Sequence, residues 1–107
     1  MKTNEYGAEL DRNGYAPSLM KNRTSGCHIC GRKDRRLERH EVLHGSNREK
    51  SKQLGLWIEV CDSCHKVIHF GNGELDKCQK REAEEIALKH YGWTQVEFIY
   101  RFGKNYL

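Results

Sequence analysis

The chain first shows its organisation in where apolar positions recur. Residues 37–44, LERHEVLH, alternate, which predicts an extended segment with His40, Val42 and His44 on one face and Arg39, Glu41 and Leu43 on the other. Residues 56–60, LWIEV, alternate again through Leu56, Ile58 and Val60 and predict a second strand. Between them, residues 45–55 (GSNREKSKQLG) carry glycine at each end and little apolar content, and predict a loop or short helical excursion. From Cys61 the period turns helical and breaks at GNG, residues 71–73.

The last third predicts two helices. In ELDKCQKREAEEIALKHYG, residues Ala83, Ile86, Ala87 and His90 or Tyr91 share a face, and Gly92 supplies the C-terminal cap. Thr94 and Glu97 form a capping-box pattern that opens a short helix with Phe98, Ile99 and Phe102 inward. Residues 1–24 are polar and carry the only proline, Pro17. They predict a loosely attached, flexible arm, with Tyr6, Tyr15, Leu19 and Met20 as the side chains able to dock on the core. The expectation is a small α+β chain with one domain over residues 25–107, and no internal repeat.

Composition sharpens this picture at one point. Leu, Ile, Val and Phe number 21 of 107 residues, close to the fraction below which chains tend not to fold. A core that thin needs a further tie, such as a metal or disulfides. No apolar run approaches the roughly 20 residues that span a bilayer, and MKTNEYGAEL does not read as a signal peptide. The expectation is a cytoplasmic chain with no membrane partner, whose five cysteines are reduced thiols.

Reduced, paired cysteines point to metal. Cys27-x-x-Cys30 and Cys61-x-x-Cys64 are two knuckles that together complete a tetrahedral four-thiolate site for a structural Zn2+. The rival readings are a redox pair, two disulfides or incidental cysteines, and a redox pair would want a thioredoxin-like βαβ context. Structural zinc contributes apparent folding energy on the order of 10–16 kcal/mol, enough to offset a thin core. Cys78 stands apart and reads as a small buried helix residue.

The histidines of VCDSCHKVIH are then left over. A two-cysteine, two-histidine finger needs about a dozen residues before its first histidine, whereas His65 follows Cys64 directly. His65 and His69 stand at i and i+4, hence on one helix face, a spacing suited to a second metal. His40 on the preceding strand is the candidate third ligand. The competing reading makes His69 a surface or capping histidine and lets His65 orient a zinc thiolate.

The order Cys-x-x-Cys, a strand bearing histidine, a loop, a strand and then VCDSCHKVIH resembles the HNH endonucleases of the ββα-metal (His-Me finger) group, over about residues 27–70. HEVLHGSNREKS and the ending EFIYRFGKNYL are similar to small HNH proteins of bacteriophages and prophages. The resemblance implies a ββα-metal core clamped by the cysteine zinc, with a separate catalytic divalent cation (Mg2+, Mn2+, Ni2+ or Zn2+) held by His40, His65 and His69. It implies Glu41 as general base where the family usually has histidine, or Glu41 as a ligand with His44 or His40 as base. The family's middle asparagine falls at Leu56, with Asn47 as the nearby substitute. The activity implied is hydrolysis of DNA phosphodiester bonds to 5′-phosphate and 3′-hydroxyl ends, by nicking or cleavage in phage or prophage DNA processing inside a bacterial host cell.

Charge agrees with a DNA partner. The net charge of +4 is mild, but residues 21–53 hold ten Lys/Arg against four Asp/Glu, a local +6 that leaves −2 for the rest. Arg32, Lys33, Arg35, Arg36, Arg39, Arg48, Lys50 and Lys52, with Asn47, are the candidate DNA contacts. The plainer reading of such a run is a solvated knuckle and loop. Trp57 reads as a base-stacking ring or, beside Leu56, as a partly buried one. Two further classes remain: a non-catalytic zinc module binding DNA, and a component of a phage packaging or replication assembly with DKCQKREAEEIALKHYG as its partner surface.

Overall fold

Short apolar runs, each ended by glycine or a capping residue, set the elements. The computed structural model describes residues 2–20 and 25–107; Met1 and residues 21–24, with Lys21 and Arg23 of the basic run, lie outside the described residues. In chain order the elements are strand β1 (Leu37–Glu41), a 3-10 turn (Gly45–Asn47), helix α1 (Arg48–Gln53), strand β2 (Trp57–Cys61), and helices α2 (Asp62–Phe70), α3 (Glu74–Tyr91) and α4 (Gln95–Phe102). The strands pair antiparallel, with Leu37 opposite Cys61, His40 opposite Ile58 and Glu41 opposite Trp57. Helix α2 follows β2 without a break, so residues 61–69, with two cysteines and two histidines, sit directly against the two-stranded ribbon.

The first strand is shorter than the alternation predicts. It ends at Glu41, the chain turns, and Val42 and Leu43 both become buried instead of facing opposite ways. The excursion that follows is the helical form of the two expected. Ser51, fully buried, ties its ends: its hydroxyl accepts from the Leu43 amide (3.1 Å) and donates to the Leu56 carbonyl (2.6 Å). The core lies between the ribbon and the C-terminal helices, built from Val42, Leu43, Leu56, Ile58, Val60, Ile68, Ala83, Ala87, Phe98 and Phe102.

The capping signals are borne out. Gly92, at φ +70°, ends α3, and the Thr94 hydroxyl accepts from the Glu97 amide at 3.2 Å to open α4. Two expectations fail by one position. Phe98 and Phe102 set the inward face of α4, which leaves Ile99 at its edge and 38% exposed. Cys78 is exposed, because Gln79, Ala83 and Ala87 define the buried face of α3 and residue 78 stands about 100° from Gln79 and further round still from Ala83 and Ala87.

The arm is where expectation and structure differ most. Far from hanging loosely, residues 2–20 pack along the ribbon and α1. The Asn4 side-chain amide donates to Gln53 O (2.7 Å), the Trp57 indole donates to Ala16 O (2.7 Å), and Ala16 and Met20 are buried. Leu19 N donates to Gly55 O at 2.8 Å, and a Cβ on Gly55 would stand 2.5 Å from Pro17 O. Gly55 also has φ +76°, so glycine is required there both for the turn and for the arm's approach. The arm thus adds Ala16 and Met20 to the buried residues. Among the described residues no helix is long and apolar enough to cross a membrane.

Candidate functional site

The four paired cysteines converge. Cys27 and Cys30 come from the turn before β1, Cys61 ends β2 and Cys64 lies in the first turn of α2; their four sulfurs lie within 4.8 Å of one another. All are free thiols. Cys30 and Cys61 sulfurs are 3.8 Å apart, near the edge of a tetrahedron about 3.8 Å long that zinc–sulfur bonds of ~2.3 Å imply. Gly31 N donates to Cys27 O (2.8 Å), Cys27 N to Arg32 O (2.9 Å), and His28 N stitches the turn to β2 through Glu59 O (2.8 Å).

The charges around the sulfurs suit a cation. Burial pushes the Cys27 thiol up, but amides of Cys30, Cys61 and Ile29 aimed at its sulfur outweigh that and bring it down to about 6. Cys64 is driven the other way, by burial and by the neighbouring thiols that compete for the same negative charge. Four sulfurs that cannot all ionise alone, with amide donors directed at one, form a site able to hold a metal such as zinc.

The second cluster lies on the other side of α2's first turns. His40 leaves the end of β1, while His65 and His69 project from successive turns of α2, and their ligand nitrogens fall within 4.8 Å of one another. His40 is 2% exposed, and its Nε2 is buried without a hydrogen-bond partner. Burial, then the positive charge His65, His69 and His44 would carry, hold His40 down to about 4; burial and His65 also lower His69. His65 Nδ1 lies 3.0 Å from Glu38 Oε1, which orients the ring and leaves its other nitrogen for the cluster. A buried, orphaned nitrogen beside two partly exposed imidazoles fits a three-histidine metal site.

A cleft of about 310 Å³ opens over these rings, walled by Arg39, Glu41, His44 and Arg48. His44 reaches it after the bend, with its ring centroid 5.7 Å from that of His40 and 5.4 Å from that of His69. Its Nε2 lies 3.0 Å from Asp76 Oδ1 in the first turn of α3, and Lys80 Nζ holds the other Asp76 oxygen at 2.9 Å. Sequence reading missed Asp76. The only available signal was an acidic residue just after the GNG break, and an acid in a helix's first turn is ordinary.

Glu41 is committed elsewhere. One carboxylate oxygen accepts from Tyr15 Oη (2.9 Å) and the other from Arg48 Nε. Burial raises its pKa, yet those two donors more than offset burial and leave it below the ordinary glutamate value. Leu56 is wholly buried, and the Asn47 amide donates to Phe102 O (2.9 Å), tying the excursion to the end of α4.

The basic residues divide. Arg39 and Arg48 border the cleft, Arg39 paired with Asp11 (2.8 Å) and lying over the rings of Tyr15 and Trp57. Arg35 and Arg36 line a neighbouring depression with Glu38 and Asp62, and Arg35 pairs with Asp62 at 3.1 Å. Arg32 pairs with Asp34 (3.2 Å), next to Lys33 on the exposed knuckle. Lys50 donates to Arg101 O (2.6 Å), and Lys52 lies over Tyr15, so both face the arm and α4. Trp57 is buried, the second of its two readings. Comparison of the chain with protein-family models, with curated proteins and with solved structures finds no match in any of the three.

Proposed function

We propose that the chain is a metal-dependent endonuclease of the HNH type that hydrolyses DNA phosphodiester bonds, with the four cysteines holding a structural Zn2+ and His40, His65 and His69 holding a catalytic divalent cation. One observation carries this reading: three imidazole nitrogens, one of them buried and unpartnered, converge at the floor of a cleft edged by Arg39 and Arg48. A divalent ion held by these three histidines would supply charge neutralisation at the scissile phosphate and the leaving oxygen. His44 is the base: Asp76 holds Nε2, so Nδ1 takes the proton from the attacking water. Water's oxygen bonds to phosphorus, the bond to the 3′ oxygen breaks, and that oxygen leaves with a solvent proton as a 3′-hydroxyl. Arg39 and Arg48 hold flanking phosphates. Glu41 positions Arg48 and Tyr15 and takes no proton. The setting is phage or prophage DNA processing within the bacterial cytoplasm, where packaging or replication proteins are the further partners.

The second reading is a zinc-containing DNA-binding or assembly module without cleavage. The locked carboxylate of Glu41 and the engaged amide of Asn47 favour it, since the expected base and the substitute for the asparagine missing at Leu56 are both spent on structure. Supercoiled plasmid incubated with zinc-loaded protein and Mg2+, Mn2+ or Ni2+ separates the two. Nicking that needs added metal and disappears in His65→Ala supports the enzyme. His44→Ala then lowers the rate by about 10²–10⁴-fold with metal binding retained. No nicking by folded protein with any of these ions supports the module.

A further inference from the structure

We infer that Phe70 is a base-stacking contact at the edge of the histidine cleft and that it directs the site to DNA with unpaired bases; this rests on the DNA-binding part of the reading above. Phe70 is 86% exposed, more than any other large apolar side chain among the described residues. A ring so placed adds nothing to the core. It is the last residue of α2, one position beyond His69, and the two ring centroids are 6.3 Å apart.

Helical geometry places Lys66 and Phe70, four apart, on a stripe adjoining that of His65 and His69. Lys66 and Phe70 therefore stand beside the α2 side of the cleft, on a stripe that begins at Asp62, while Arg39 and Arg48 line the cleft itself from β1 and α1. Val67, one turn back, adds an exposed apolar neighbour, and a phenyl ring beside the cations Lys66, Arg39 and Arg48 matches a nucleobase attached to phosphate. Gly71 N donates to Val67 O at 2.9 Å, and a Cβ on Gly71 would come within 2.5 Å of that carbonyl, so the backbone closes tightly behind Phe70.

Stacking needs a free base face. Within a duplex those faces are covered by neighbouring pairs, and inserting a ring requires unstacking. An unpaired strand or a junction offers the face at no such cost, and this sets the substrate preference.

The test is fluorescence anisotropy without added divalent ion, using a labelled strand of about a dozen nucleotides alone and as a blunt duplex. Phe70→Ala should weaken single-strand binding about tenfold while duplex binding stays within about twofold, and Phe70→Trp should keep single-strand affinity. Equal single-strand affinity for wild type and Phe70→Ala overturns the inference. The ring's exposure means its loss leaves folding intact. Plasmid nicking by the same proteins separates the two failures. Phe70-dependent binding without nicking sinks the nuclease alone, nicking with Phe70-independent binding sinks the stacking alone, and no binding to either DNA sinks both.

Discussion

His40 concentrates the conflict between stability and function in one side chain. Its Nε2 is sealed from water without a partner, and an unsatisfied buried nitrogen costs about 1–3 kcal/mol. A bound cation removes that cost. His40→Leu should therefore raise the thermal stability of protein carrying zinc on the cysteines alone, and should abolish binding of Ni2+ to the histidines. Calorimetric titration with Ni2+ and melting curves of the two proteins read both effects; a less stable His40→Leu protein would show that the nitrogen is satisfied in solution. Tyr15 and Tyr91 carry a second residue-level consequence. Burial raises both phenols to about 12, aided at Tyr15 by its bond to Glu41 and at Tyr91 by the nearby Tyr6 and Glu5. Their folded values exceed the unfolded value of about 10, so the stability they contribute is complete below pH 10 and is lost as pH rises towards 12. Ultraviolet titration of the five tyrosines should show a late step for two of them, and Tyr15→Phe should remove one of the two.

Elements explain what could be read in the chain and what could not. The pairings Cys27 with Cys30, Cys61 with Cys64 and His65 with His69 were legible because each is a local spacing on one turn or helix. His40 was legible as the histidine on the strand before the helix; α2 leaves β2 at Cys61, opposite Leu37, and packs back on β1, which carries His65 and His69 to His40 near the far end of that strand. Asp76 was not, because its contact with His44 depends on how α3 packs 32 residues downstream. The docking of residues 2–20 was half legible: Tyr6, Tyr15, Leu19 and Met20 were the side chains able to dock, and they do, but the backbone contacts through Ala16 O and the Gly55 surface leave no hydrophobic pattern. That docking is testable at Gly55. Gly55→Ala should destabilise the protein by about 1–3 kcal/mol through positive φ and collision with Pro17 O. Deleting residues 2–19 removes the collision but not the φ strain, so the alanine's cost measured by urea denaturation should shrink in that background without vanishing. An identical cost in both would mean that the arm does not lie where it is described.

Across the whole molecule the two candidate metal sites share one rigid part. Cys61 and Cys64 begin the segment on which His65 and His69 follow, and His40 and Cys61 belong to strands joined in one ribbon. A cation on the cysteines therefore fixes the start of α2 and with it two of the three imidazoles; a cation on the histidines in turn holds α2 against β1. Linkage requires the two effects to be equal: whatever factor zinc adds to affinity at the histidines, a cation there must add to zinc affinity at the cysteines. Coupling of this kind typically amounts to about 1–3 kcal/mol, or roughly 5–150-fold. Chelator competition for the cysteine-bound zinc should therefore need a higher chelator concentration when Ni2+ fills the histidines, and the same factor should separate Ni2+ affinities with the cysteines filled and emptied. His69→Ala should erase the Ni2+ effect while leaving the zinc affinity of the nickel-free protein unchanged, because His69 is no ligand of the cysteine site. If Ni2+ leaves zinc release unaltered in the wild type, α2 does not couple the sites, and the cysteine knuckle is a clasp independent of the cleft.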